Sequence, residues 1–235
     1  MRALLLAAGF GTRLRPLTDT IPKCLVPIQG KPLLGIWLER LHRVGIDRFG
    51  VNTHHLAGQV RDFVEAGPYR NQVTLMPEPS LLGTAATLLK NMDFFQGNDG
   101  LLIHADNYCL ADFGAFIQAH HQRPPECLMT LMAFHTHSPS TCGILQCDDR
   151  GVVVDFHEKV ANPPGNLANG AVYLLSPEFL QLARKRFFGA TDFSTEILPA
   201  LMGRIYTYTT HEVFIDIGTP QSYAEANQSE DPGYT

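Results

Sequence analysis

The sequence predicts an α/β fold in three αβα layers, a mostly parallel sheet with helices on both faces. Three observations carry that prediction. Short apolar runs alternate with stretches of helical spacing through the first half of the chain. Those runs are nearly continuous rather than alternating, as strands covered on both faces require. Aspartates close two of them, at the strand ends where open α/β sheets place their ligands.

The elements follow in order. Residues 2–7 read as a buried first strand, followed at once by the small-residue loop Ala8-Gly9-Phe10-Gly11-Thr12-Arg13. Pro32 opens a helix whose Leu33, Ile36, Trp37, Leu41 and Val44 fall on one face, and Gly45 ends it. Residues 49–53 are a strand, and 56–66 a helix closed by Gly67 and Pro68. A short strand over 73–76 leads into a loop stiffened by Pro77 and Pro79, then a helix over 85–92. The strand at 100–105 ends in Asp106. After about Glu126 the chain turns strand-rich, with strands at 127–135, 142–147, 152–158 and 171–175, which makes the sheet mixed. Helices over 177–185 and 194–202 precede strands at 205–208 and 212–215. Gly218-Thr219-Pro220 opens a last helix to about Asn227, before a polar tail. The expected organisation is one domain over 1–228, with halves at about 1–125 and 126–228, and a tail over 229–235.

Composition narrows the function. A chain of 235 residues with 45% hydrophobic and 17% charged residues is a globular protein, not a disordered one. A net charge of -5 argues against nucleic-acid binding, which favours a basic surface. Five scattered cysteines without a CxxC pair suit free thiols in a reducing compartment and offer no zinc site. The apolar start stops at Gly9, too short for a signal peptide, and no run reaches the ~18 apolar residues of a membrane helix. A cytoplasmic protein without nucleic-acid or membrane partners is expected.

The first loop carries the strongest chemistry. Gly9 and Gly11 leave backbone N–H groups free to face an anion, and Arg13, Arg15 and Lys23 add positive charge. That combination suits a polyphosphate. The dinucleotide fingerprint is absent, since Leu14 stands where it needs a third glycine, and no Walker string occurs. Asp106 and Asp216 follow or end apolar strands, where two carboxylates together would hold Mg²⁺ against phosphate oxygens. Taken singly, each could be a turn or capping residue. His157-Glu158-Lys159 and Asn169-Gly170 are weaker signals, a surface pair and a turn when read alone. The pairs His54-His55, His120-His121 and His135/His137 have no third ligand at metal spacing and read as surface or capping residues. No Ser-His-Asp or Cys-His arrangement is evident.

These motifs together resemble the sugar-1-phosphate nucleotidyltransferases. The resemblance runs from Leu6-Ala7-Ala8-Gly9-Phe10-Gly11-Thr12-Arg13-Leu14 and Pro22-Lys23 through Glu78, Leu82-Gly83-Thr84-Ala85, Asp106, Gly143, Glu158-Lys159 and Asn169-Gly170-Ala171-Val172-Tyr173 to Asp216-Ile217-Gly218-Thr219-Pro220. It implies a Rossmann-like sheet of the nucleotide-diphospho-sugar transferase type. It also implies a reaction of NTP with sugar 1-phosphate to give NDP-sugar and pyrophosphate, with Mg²⁺ as cofactor. Carried over, Ala8, Gly9, Gly11 and Thr12 would contact the nucleotide, Arg13 the leaving pyrophosphate, and Lys23 the phosphates at the reacting centre. Asp106 and Asp216 would hold the metal, and Glu78 and Gly83 would face the base. Asn107, Gly143, Glu158, Lys159 and Asn169 would bind the sugar phosphate.

A carboxylate at position 78 accepts hydrogen bonds only, and guanine offers two N–H donors on one edge, so GTP is favoured; the resemblance implies a mannose-like or heptose 1-phosphate as its partner. Uridylyl or thymidylyl transfer to a hexose or amino-sugar 1-phosphate is the alternative. A catalytically silent nucleotide-sugar sensor, or transfer to a non-sugar phosphate such as phosphocholine, stand further back. The chain departs from the family in Phe214, where relatives carry Trp, and in Ala105 before Asp106, where they carry Gly. It stops soon after its last motif, so an appended β-helix with a second activity is not expected. A monomer or homodimer is expected.

Overall fold

The structure, a computed structural model, describes residues 1–229; the expected tail lies, from 230 on, outside the described residues. In chain order the elements are β1 (Arg2–Leu6), β2 (Pro27–Ile28), β3 (Lys31–Pro32), α1 (Leu33–Arg43), β4 (Phe49–Thr53), α2 (Ala57–Ala66), β5 (Val73–Pro77), α3 (Thr84–Lys90), β6 (Gly100–His104) and β7 (Asn107–Cys109). There follow α4 (Phe113–His121), β8 (Met129–His135), β9 (Gly143–Cys147), β10 (Val153–Glu158), β11 (Leu167–Leu175), α5 (Pro177–Arg186), β12 (Ile205–Thr209), β13 (Phe214–Asp216) and α6 (Pro220–Gln228). They fall into two compact units.

The first unit comprises Ala3–Leu81, His104–Ala111 and the chain from Glu212 onward. Its sheet is parallel, with β4 between β1 and β5 in the registers Ala3↔Phe49 and Phe49↔Val73. Ala3, Leu4, Leu5, Phe49 and Val51 are fully buried, as continuous apolar strands must be. Helix α1 buries Leu33, Leu34, Trp37, Leu38 and Leu41 at helical spacing, each large side chain contributing about 1.5–3 kcal/mol. Gly45 at φ 84° follows its end, where the predicted stop lay. The Trp37 indole N–H donates to the Asn107 carbonyl at 2.8 Å, tying α1 to β7. β7 in turn pairs antiparallel with β13, placing Asp216 opposite Asn107.

The second unit comprises Met1–Arg2, Leu82–Ile103 and Asp112–His211. Here β8 lies between antiparallel β11 and parallel β12, while β11 also pairs antiparallel with β6 and β9, and β9 with β10. Its core packs Tyr173 on Phe193 with ring centroids 4.6 Å apart, and Phe179 on the other side of Phe193 at 6.2 Å. The expected α/β fold with a mixed sheet is what the chain adopts.

Four local expectations need correction. Helix α4 was not foreseen, although Asp112 caps it by accepting from the Ala115 N–H at 2.9 Å. The helix expected over 194–202 is a π turn at Phe193–Ile197 followed by a 3-10 turn at Leu198–Leu201; Pro199 has no N–H to continue an α-helix. β11 begins at Leu167, four residues before the expected strand. β13 runs to Asp216, so this carboxylate ends its strand instead of following it.

Candidate active site

β1 ends at Leu6 and the chain runs on through Ala7 and Ala8, both buried, into exposed Gly9 and Phe10. The Ala7 N–H donates to Asn52 Oδ1 at 2.6 Å. Beyond it, no described atom accepts from the N–H groups of residues 8–13. Gly11 takes φ 63°, and a Cβ there would lie 3.0 Å from Thr18 Cγ2 and 3.1 Å from Lys23 Cβ. The Thr18 hydroxyl donates to the Gly11 carbonyl at 2.8 Å, fixing the loop from below. The open donors Ala8, Gly9, Gly11, Thr12 and Arg13 thus sit on a braced turn, as anion binding through backbone amides requires.

Lys23 lies under this loop, buried, with its Nζ 2.7 Å from Asp106 Oδ2 and 3.5 Å from Asp216 Oδ1. Arg13 Nη2 is 3.6 Å from the other oxygen of Asp216. The guanidinium lies flat against Gly218, where a Cβ would stand 2.9 Å from Nη1. Four residues expected to be catalytic are therefore one cluster, two cations facing two carboxylates. Burial pushes the Asp106 carboxyl up, but the Lys23 ammonium, His104 and hydrogen bonds from Lys23 and the backbone hold it below its ordinary value.

Both carboxylates remain open, at 40% and 53% side-chain exposure, and converge on one cationic point. Two hard oxygen donors in that arrangement fit Mg²⁺, which takes one or two carboxylates and completes its octahedron with phosphate and water oxygens. Among the described residues no three His, Cys, Asp or Glu side chains form a metal cage. A metal here would therefore depend on the ligand's own oxygens.

Asn107, Glu78 and Cys24 belong to the same unit. Asn107 is buried on β7 beside Asp216, its carbonyl taken by Trp37. Glu78 is buried; its N–H donates to the Thr53 carbonyl at 2.8 Å and its Oε1 accepts from Asn52 Nδ2 at 3.0 Å. Cys24 is buried and its thiol is pushed up to about 12 by burial, with the charge of Asp106 adding to the effect.

In the second unit, Gly83 opens α3 at φ 92°, and a Cβ there would run into the Thr191 carbonyl. Gly143 and Glu158 are cross-strand partners on β9 and β10. Lys159, at φ 51°, donates its N–H to the Cys142 carbonyl at 3.1 Å and holds its Nζ 3.2 Å from Glu158 Oε1. Asn169 sits where β11 shifts register; it accepts from the Ala171 N–H at 2.9 Å and donates to the Tyr173 hydroxyl at 2.8 Å. Burial raises the Tyr173 phenol, so this hydroxyl stays neutral and available as a partner.

The histidines divide. His54 meets the Glu78 carbonyl at 2.9 Å and His135 meets Asn166 at 3.1 Å, as capping-type residues do. His120 departs from expectation: it is fully buried, bonded to Thr130 Oγ1 at 2.9 Å, with Nε2 3.7 Å from Asp99. Sequence reasoning also passed over Asn52 and read Gly218 only as part of a helix-opening motif, not as the seat of the Arg13 guanidinium. Asn52 had a signal, an amide within the fully buried strand Phe49–Thr53.

Comparison with known proteins gives the chain its relatives. The chain is 30% identical over 229 residues to a "Putative mannose-1-phosphate guanyltransferase" of Sulfolobus acidocaldarius, covering 96% of this chain and 62% of that one. It is 33% identical over 178 residues to a glucose-1-phosphate thymidylyltransferase of Streptomyces griseus, covering 75% and 50%. The chain thus spans about half to two thirds of the length of these relatives. The crystal structure of HddC from Yersinia pseudotuberculosis complexed with GMP-PN matches at TM-score 0.80 and 26% identity, over 97% of this chain and 98% of that one. A family model described as Nucleotidyl transferase matches residues 2–231. Braced open amides, a two-cation, two-carboxylate cluster and a match along nearly the whole chain lead to one assignment: this protein belongs to the nucleotidyl transferase family.

Proposed function

We propose that this chain transfers a nucleotidyl group from an NTP, GTP by preference, to a sugar 1-phosphate of mannose-like or heptose type, releasing pyrophosphate. The observation that carries the reading is the convergence of Arg13 and Lys23 on Asp106 and Asp216 beside a run of open amides. A phosphate oxygen of the sugar 1-phosphate attacks the α-phosphorus in line. The new O–P bond forms as the bond to the β-phosphate oxygen breaks, and pyrophosphate leaves. No protein nucleophile is required, so the residues act by positioning and charge neutralisation.

The amides of residues 8–13 cradle the triphosphate, Arg13 takes the charge of the leaving pyrophosphate, and Lys23 that of the reacting phosphoryl group. Asp106 and Asp216 would hold Mg²⁺, which when bound neutralises phosphate charge and polarises the P–O bonds. Glu158 and Asn169 hydrogen-bond sugar hydroxyls, Lys159 and Asn107 hold the sugar phosphate, and Gly143 presents backbone groups. Glu78 and Gly83 face the base. The guanine preference is supported by the acceptor character of Glu78, by the guanyltransferase name of one relative and by the GMP-PN bound to HddC. The thymidylyltransferase name of another relative supports the alternative base. We place the protein in the cytoplasm, as a monomer or homodimer with one catalytic domain. Among the described residues no helix is long and apolar enough to cross a membrane.

Pyrophosphate release across GTP, UTP, dTTP, CTP and ATP with several sugar 1-phosphates, with and without Mg²⁺, tests the reading. Metal-dependent release in one combination, strongest with GTP, is expected. Nucleotide binding without release under any combination would sink it in favour of a sensor.

A further inference from the structure

The one polar side chain of the buried strand Phe49–Thr53 other than its terminal threonine is Asn52, and it joins two parts of the site. Its Oδ1 accepts from the Ala7 N–H at 2.6 Å and its Nδ2 donates to Glu78 Oε1 at 3.0 Å. The amide has no choice of orientation. A backbone N–H can only donate, so the oxygen must face Ala7 and the NH₂ group must face the carboxyl of Glu78. Asn52 and Glu78 are both at least nine-tenths buried, so solvent does not compete for either bond. Ala7 is also the last residue whose N–H is tied up before the open donors of residues 8–13 begin.

We propose that Asn52 is a positioning residue for nucleotide selection. One amide sets both where the phosphate-binding run begins and how the Glu78 carboxyl is aimed, so base recognition and triphosphate binding share a single strut. The inference rests on the reading of Glu78 as the base-facing residue and adds the group that orients it. Asn52 itself touches no reacting atom.

The two bonds can be separated. Asn52→Asp keeps an acceptor for Ala7 but turns an oxygen toward Glu78, removing the donor and adding repulsion. The measurement is the dissociation constant of GTP, UTP, dTTP, CTP and ATP by calorimetry for the wild type, Asn52→Asp, Glu78→Gln and the double variant, with melting temperatures alongside. The ratio between the preferred and the other nucleotides should fall about tenfold in Asn52→Asp, equivalent to about 1.4 kcal/mol. The double variant should fall little further than Glu78→Gln alone, as coupled residues do. If Asn52→Asp does not fold, Asn52→Ala removes the donor to Glu78 without adding a charge and carries the same expectation. A residue that only supports the fold would weaken all nucleotides alike and leave the ratio unchanged, and that result overturns the proposal. Wild-type protein that discriminates among nucleotides but releases no pyrophosphate fails the catalytic reading while supporting this inference if the ratio still falls. Wild-type protein that binds none of the five overturns both.

Discussion

Glu158 lies directly over Gly143: a Cβ built on the glycine would stand 2.5 Å from the Glu158 carboxyl and 2.6 Å from the Phe156 ring. The two residues are cross-strand partners, so an added methyl must push aside the Glu158 carboxyl and the Phe156 ring. Gly143→Ala should therefore displace Glu158 and cost about 1–3 kcal/mol of stability through overpacking. In the proposed reaction the KM for the sugar phosphate should rise severalfold while the KM for the NTP holds. Steady-state kinetics with each substrate varied checks this, and an unchanged KM for the sugar phosphate would count against Glu158 as a sugar ligand.

Lys23→Met should lower kcat/KM by about 10²–10³, the usual effect of removing one group that stabilises transition-state charge. The same change alters acid stability. Asp106 is held below its ordinary value of 3.8, so its contribution is present above that pH and is lost as pH falls through the lower folded value. Without Lys23 that depression shrinks. The variant should be less stable than the wild type near neutrality, with the gap narrowing as pH drops below about 4. Denaturant midpoints at pH 7 and at two acidic values read this directly; a constant gap would mean that Lys23 does not set the Asp106 titration.

Thiol labelling should be selective. Burial pushes Cys24 and Cys109 up to about 12 and Cys127 up to about 11, so all three stay protonated at pH 8. Cys147 is also raised, whereas Cys142 is only half-buried. Brief iodoacetamide treatment followed by peptide mass spectrometry should find Cys142 modified first and Cys24 untouched. Early loss of the Cys24 thiol would refute its sealed position beside Lys23.

His120 gives a second pH dependence. Burial holds its imidazole below the ordinary 6.5, so the unfolded chain binds the proton more readily than the folded one. Stability should begin to fall as pH drops through about 6.5. The His120 imidazole 3.7 Å away holds Asp99 low, so the Asp99 contribution is lost only further into acid. His120→Gln should flatten the melting temperature between pH 7 and 5.5. A wild-type melting temperature already flat over that range would contradict the assignment.

The reacting cluster was legible because its residues break local rules. Asp106 lies two residues past the end of β6 and Asp216 closes β13 after Phe214 and Ile215, and Arg13 and Lys23 flank a glycine loop that needs no charge to turn. Asn52 stayed hidden because a single amide in a strand looks like a tolerated polar residue until its partners, 45 and 26 residues away, are known. His120 was misread for the same reason: its neighbour His121 is exposed, and only the fold shows that the two rings face different surroundings. The π turn at Phe193–Ile197 was taken for a helix because the apolar spacing was right and the effect of Pro199 on the backbone ladder was underweighted.

Lys23 draws its two carboxylates from 83 and 193 residues further along the chain. On a ribosome adding about 5–20 residues per second, Asp216 is made roughly 10–40 s after Lys23. Until then no partial chain can assemble the cluster, however well its first strands have paired. The cluster thus closes in a single step, set by the arrival of Asp216.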